Sequence, residues 1–354
     1  MIFDINLREI INSPLKKYLV KFEHNEKNFI ALYGGFYLTS DLFLPVCSFS
    51  YCTSTDLFGF FEKIKYSSIL TNKFKLSLIE NKNIPIIENA FVLGSTGNYY
   101  HDLIDCYSRI FSFKKNLLFD KNIDKIIIGD EKTKNILNEI LKILDINIPV
   151  ISLKKEKIYQ FKNSTITANK RFDRTINFYR QFFNYKKSIP TEFLFVSRKD
   201  TKTRQIENEP ELIHLLKKYN FKIETLDGKT FEEQRNLFNK SKVIITMHGA
   251  GLTNLLFSAK NSLVIEITLD FLKKNKDWFS KKNSKEHDLY TRSMYNDMAQ
   301  RCKLNHYYYF AQKSKIKLQN VKYDFQKFTY TSLHVNINYF KKFLDENLEL
   351  KSKF

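Results

Sequence analysis

The sequence predicts an α/β fold with a mainly parallel sheet. Two observations carry this expectation. In the second half of the chain, short apolar strands alternate with amphipathic helices, the rhythm of a doubly wound sheet. Within that rhythm, the run from Val243 to Phe257 (VIITMHGAGLTNLLF) reads as a buried strand, a Gly-Ala-Gly turn and a helix start. Hydrophobic residues make up 43% of the 354 positions, enough for substantial cores. A chain of this length suits two domains of roughly 150 residues each.

The elements follow in order. The first 90 residues are aromatic and loop-rich, and no regular period assigns them. Lys125–Ile128 is a strand candidate. Glu131 to Asp145 reads as an amphipathic helix through Ile136, Ile140, Leu141 and Leu144, and Pro149 precedes a strand at Val150–Leu153. The domain boundary is expected near Tyr185–Pro190. Phe193–Val196 is the next strand, followed by a polar loop. Pro210 suits the first helical position ahead of an apolar face of Leu212, Ile213, Leu215, Leu216 and Tyr219. Phe221 to Leu226 is a strand, and Thr230 to Glu233 match a capping box that opens a helix with Leu237 and Phe238 inward. After the strand Val243–Met247 come a helix at Thr253–Ser258 and a strand at Leu263–Ile267. A helix from His287 to Arg301 and a strand at His306–Phe310 complete the alternation. Spacing of Ile337, Phe340, Phe343 and Leu344 predicts a terminal helix.

The net charge of +20 fits nucleic acid, an anionic membrane surface or an acidic substrate, and also a solvated lysine-rich surface. Lysines are scattered rather than gathered in one arm, which argues against nucleic acid as a partner. Cys47, Cys52, Cys106 and Cys302 lack paired-zinc spacing and read as free thiols of a reducing compartment. The start of the chain does not read as a signal peptide, and no apolar run approaches the ~18 residues of a membrane span. A cytoplasmic protein is expected, with the inner face of the membrane as a docking surface.

Three clusters could carry chemistry. His101 and Asp105 follow Asn98 four residues apart on a helix, so they share a face. They could serve as general base and orienter, or the carboxylate could act alone. The other reading is a helix-capping Asn98 with a structural His–Asp hydrogen bond. Ser197, Arg198 and Arg204 follow a strand, where ligands bind in open α/β sheets and guanidiniums suit phosphate. A pair of solvated surface arginines is the bland alternative. In the third cluster, Gly249 and Gly251 allow close backbone approach, while His248, Ala250, Thr253 and Asn254 surround a helix N-terminus that suits an anion. Glu266, read as ending the next strand, could hold ribose hydroxyls. The run is neither a GxGxxG fingerprint nor a P-loop. His214 reads as a helix-surface or packing residue, Tyr290–Met298 and His306–Tyr309 as packing residues, and Trp278 as a sugar contact or a loop anchor. No metal site is expected, since no Asp-x-Asp loop or metal-spaced histidines occur.

In this order the clusters resemble glycosyltransferase family 61, which includes bacterial capsule and lipopolysaccharide enzymes. The resemblance rests on Gly97-Asn-Tyr-Tyr-His101 with Asp105, Phe195–Lys199, Arg204–Glu209, Phe231–Gln234, the HGAGLTNLLF run and Val264–Ile267. It covers about residues 90 to 310. The resemblance implies a GT-B architecture: two Rossmann-like domains facing across a cleft, here residues 1–187 on the acceptor side and 188–333 on the donor side. A terminal helix over 334–354 would pack back across both. It implies an inverting, metal-independent transfer from a nucleotide sugar to a glycan or lipid-linked acceptor. Arg198, Arg204 and His248–Asn254 would hold the diphosphate, Glu266 would lie near the nucleoside, and His101 or Asp105 would be the base. Rival readings are a nucleotide- or glycan-binding protein without transferase activity, a Rossmann-type oxidoreductase, and a nucleic-acid-binding protein.

Overall fold

The computed structural model describes residues 29–32, 36–38, 43–45, 86–95, 97–110, 122–129, 131–153, 158–162, 165–166, 172–183, 189–201, 204–269, 294–314 and 332–349. Trp278, Cys47, Cys52 and the first part of the helix expected from His287 lie outside them. The architecture is mixed α/β with parallel sheets, and the chain divides into two units, Met1–Phe178 and Tyr179–Phe354.

The first unit holds strands β1 (Phe29–Leu32), β2 (Phe36–Leu38), β3 (Phe43–Pro45), β4 (Ile86–Glu88), β5 (Ala90–Val92), β6 (Lys125–Ile128), β7 (Val150–Ser152), β8 (Ile158–Lys162) and β9 (Thr165–Ile166). Four of them form a parallel sheet, β7-β6-β5-β9. Ala90 to Val92 and Ile126 to Ile128 are buried, as apolar strands of a parallel sheet require. The other five form the sheet β3-β2-β1-β8-β4, antiparallel except where β4 meets β8. No periodicity in the sequence announced that sheet. Helix α1 (Lys134–Ile143) follows β6. Its buried stripe, continued at Leu144, is Leu137, Ile140, Leu141 and Leu144, with Leu137 in the place expected of Ile136. Helix α2 (Phe172–Phe183) runs across the division between the units.

The second unit follows the expected alternation closely. Its elements are β10 (Glu192–Val196), α3 (Glu209–Lys218), β11 (Phe221–Glu224), α4 (Phe231–Lys240), β12 (Ser241–Met247), a 3-10 helix (Ala250–Phe257), β13 (Leu263–Leu269), α5 (294–301), β14 (Asn305–Lys313), β15 (Leu333–His334) and α6 (Ile337–Glu349). The sheet order is β11-β10-β12-β13-β14-β15, and every pair is parallel except the last. Pro210 sits one residue inside α3, behind Glu209. The Thr230–Glu233 capping box is formed in both directions.

Strand alternation gives this sheet two chemically different faces. Val243, Ile245 and Met247 of β12 join Leu263, Ile265 and Ile267 of β13 in an apolar cluster with Leu212, Leu216, Phe340 and Leu344 of α3 and α6. Phe340 and Phe343 of α6 set their rings on Tyr309, and Tyr219 bonds Asp345, all within the second unit. The opposite face carries Thr246, Glu266 and Thr268, which are buried although polar. The expected helix at Thr253–Ser258 is instead the 3-10 helix over Ala250–Phe257. Leu252 N–H reaches back three residues to the Gly249 carbonyl, and the Asn254 amide takes the Gly251 carbonyl. The tighter winding encloses Leu252, Leu255, Leu256 and Phe257 in the short path between adjacent strands.

Candidate functional site

In the second unit the site lies at the carboxyl ends of β10 and β12, where parallel sheets leave a crevice for ligands. Ser197 and Arg198 follow β10 directly. Glu209, the first residue of α3, holds both: its carboxylate accepts from Ser197 Oγ at 3.1 Å and from the Arg198 backbone N–H at 3.3 Å. Arg198 Nε–H donates to the Arg204 carbonyl at 3.0 Å. Arg204 adopts a left-handed φ of 55°, which turns that carbonyl inward. Burial, then the neighbouring Arg204 charge, lowers the Arg198 pKa to about 10.

The glycine after His248 explains how the loop and the turn meet. A Cβ built on Gly249 would stand 2.5 Å from Arg198 Nη1 and 3.7 Å from Arg204 Nη1. The Arg198 guanidinium therefore rests on the backbone at Gly249, a place that any side chain would fill. Two guanidiniums and a tight turn thus converge at one strand edge. Ala250 and Gly251 are half-buried beside it. Thr253 and Asn254 have no exposed surface, and the Asn254 amide bridges Gln234 Oε1 and the Gly251 carbonyl. They hold the shape of the turn from behind.

Glu266 sits in the middle of its strand, because β13 stays paired with β14 as far as Leu269. Its carboxylate has no exposed surface and lies between two imidazoles: His248 Nδ1 is 2.5 Å from Oε1 and His306 Nε2 is 2.9 Å from Oε2. Burial pushes the Glu266 carboxyl up, but both histidines oppose this and the net shift is downward. An ionised carboxylate only accepts, so each facing ring nitrogen carries the proton. The His248 ring also meets the buried Tyr295 ring edge-on, with centroids 5.2 Å apart. Burial raises the Tyr295 hydroxyl well above its ordinary pKa. Glu209, Tyr295 and His306 were not among the expected site residues. Glu209 had a sequence signal in its place after the Arg204 loop, whereas Tyr295 and His306 had none beyond being aromatic or titratable.

In the first unit, Asn98 caps the short helical turn Tyr99–His101, accepting from the N–H groups of Tyr100 and His101. The chain then widens into a π-helical turn over Asp102–Cys106. His101 Nδ1 lies 2.8 Å from Asp105 Oδ2. The imidazole keeps 22% of its surface exposed against 5% for the carboxylate behind it. Burial raises the Asp105 pKa, against the pull of His101 and Arg109. Asp102 points elsewhere, accepting from Thr133 Oγ1 at 2.5 Å and from Gly97 N–H at 3.1 Å. That bond fixes the turn leading into His101.

His214 is exposed on α3, and Cys106 and Cys302 are buried. Among the described residues, no cluster of His, Cys, Asp or Glu is arranged to hold a metal ion, and no helix is long and apolar enough to cross a membrane. Residues 99–265 match the family model described as Glycosyltransferase 61. No curated protein matches the chain. The matched segment takes in His101, Asp105, Arg198, Arg204 and the turn from His248 to Asn254, and it stops one residue short of Glu266.

Proposed function

Because residues 99–265 form a glycosyltransferase family 61 domain, we propose that this protein is an inverting glycosyltransferase that moves a sugar from a nucleotide sugar to a glycan or lipid-linked acceptor of bacterial surface polysaccharide. One observation supports the donor site above all others: the Arg198 guanidinium resting on Gly249 beside Arg204. Paired guanidiniums beside a glycine backbone suit a diphosphate, whose negative charge grows as the sugar leaves. Arg198, Arg204 and the His248–Gly251 turn hold that diphosphate, while Ser197, Thr253 and Asn254 support them. No metal is required in this scheme.

On the acceptor side, His101 is the base and Asp105 its orienter. The half-buried imidazole can meet an acceptor hydroxyl, whereas the carboxylate is enclosed behind it. His101 Nε2 removes the hydroxyl proton as the acceptor oxygen bonds to the anomeric carbon. The bond from that carbon to the diphosphate oxygen breaks on the opposite face, and its electron pair leaves with the nucleotide. The positive net charge would hold the enzyme at an anionic membrane surface carrying lipid-linked acceptors.

A thermal-shift screen across nucleotide sugars and nucleoside diphosphates tests the donor site, since ligands that bind only the folded state stabilise it. Calorimetry on the ligand found should show Arg198→Ala binding about 100-fold more weakly, roughly 2.7 kcal/mol. Gly249→Ala should weaken binding comparably by displacing the guanidinium, with the far-ultraviolet circular dichroism unchanged. Unaltered affinity in a folded Gly249→Ala variant would count against the site.

A further inference from the structure

The buried carboxylate and its two imidazoles join three strands on the polar face of the second sheet. Glu266 stands in register with Thr246 of β12 and Tyr308 of β14. His248 lies two residues beyond Thr246 and His306 two residues before Tyr308, so both reach Glu266 diagonally. The cluster is almost wholly buried, with 4%, 0% and 1% of the side-chain surface of His248, Glu266 and His306 exposed, so that His248 keeps the largest open edge.

A purely structural cluster is a poor account of this arrangement. Enclosing a carboxylate costs several kcal/mol of lost hydration, which an apolar side chain would avoid. His306 spends one ring nitrogen on Glu266, while its buried Nδ1 has no hydrogen-bond partner among the described residues. His306 is therefore ill suited as a packing residue, and its one polar contact is the carboxylate. That carboxylate in turn holds the residue preceding Gly249, on which Arg198 rests.

We propose that His306 is a positioning residue of the donor site: it fixes the Glu266 carboxylate, which locks His248 with a proton on Nδ1 and leaves Nε2 to face the donor diphosphate. This rests on the reading of Arg198 and Gly249 as the diphosphate site. Histidines that bind ligands through one nitrogen are commonly set by the hydrogen bond at the other. Here the setting partner is itself set from the far side, by a residue 40 positions later in the chain. With Nδ1 held by the carboxylate, the opposite ring nitrogen is the one left to donate its N–H to a phosphate oxygen of the donor. Glu266 then acts through His248 and makes no contact with the nucleoside.

Two measurements on the full chain test the role. Long-range nitrogen–proton correlation spectra of histidine-labelled protein should show His248 protonated at Nδ1 and His306 at Nε2. A wild-type protein with His248 protonated on Nε2 alone overturns the proposal without any variant. Titration with inorganic pyrophosphate supplies the second readout. His306→Phe keeps the ring and loses the donor, and it should bind roughly tenfold more weakly, the order of one hydrogen bond to a charged group. His306→Gln retains an N–H for Glu266 and should restore both the affinity and the His248 proton pattern. Wild-type affinity in folded His306→Phe, with binding lost in Arg198→Ala, overturns the positioning role alone. Pyrophosphate binding that survives Arg198→Ala overturns the donor-site reading, and the assignment of His248 to the diphosphate with it.

Discussion

Both units of this chain set an imidazole against a carboxylate, and they do so by different means. His101 and Asp105 are four residues apart on one irregular helical turn, and the imidazole reaches solvent. His248 and Glu266 are separated by 18 positions, the first just past the end of β12 and the second within the neighbouring β13, and are almost wholly buried, with a second imidazole behind them. The two carboxylates also shift in opposite directions. Asp105 is raised by burial that its partners do not overcome, while Glu266 is lowered because two histidines outweigh burial. A half-buried imidazole with an open edge, over a carboxylate of raised pKa, is suited to exchanging protons. A buried imidazole on a carboxylate of lowered pKa is suited to staying put.

The largest expected effect separates the pairs by kinetics. His101→Ala should lower kcat by about 10²- to 10⁴-fold, the usual contribution of a positioned base, with donor affinity unchanged. Asp105→Asn keeps an acceptor for the imidazole and should lose less, roughly 10- to 100-fold. If Asp105→Asn proves the more damaging and His101→Ala retains turnover, the carboxylate is the base and the contrast of roles collapses.

Stability against pH gives the next effect. The folded pKa of Glu266 lies below its unfolded value, so its contribution is present above the unfolded pKa and is lost as pH falls through the folded one. Asp105 has the reverse sign: its contribution is complete below the unfolded pKa and is lost as pH rises through the raised folded value. Thermal melts at neutral pH should therefore show Glu266→Gln with a lower Tm than wild type and Asp105→Asn with a higher one. Both gaps should narrow toward pH 4. A rise in Tm for Glu266→Gln at neutral pH would remove the distinction between the two sites.

The smallest effect serves as a control outside both pairs. Thr230→Ala removes one half of the capping box at the start of α4 and should cost about 1 kcal/mol in denaturant melts. Donor affinity should be unaffected, and a large loss would mean that α4 shapes the donor turn more directly than its Gln234 contact with Asn254 suggests.

Local patterns were legible wherever the chemistry was local. Asn98 as a cap, the His101–Asp105 pair, the Thr230 capping box and the alternation of the second unit all depend on residues within a turn or a strand of one another. The 3-10 winding after Gly249 was not legible, because it follows from enclosing four apolar side chains between two strands. The largely antiparallel sheet of the first unit pairs β1 with β8, from opposite ends of that unit, and no sequence period encodes such a partnership.

Residue types at short spacing specified the helices, the strands, the glycine turn and the two arginines after β10, since propensity, capping and periodicity act over a few residues. Folding supplied the distances: Arg198 laid on Gly249, Glu266 held in mid-strand, and His306 brought behind it from beyond the matched segment. Cross-strand register sets these contacts. It is fixed by the packing of the whole sheet against its helices, so no stretch of neighbouring residues contains it.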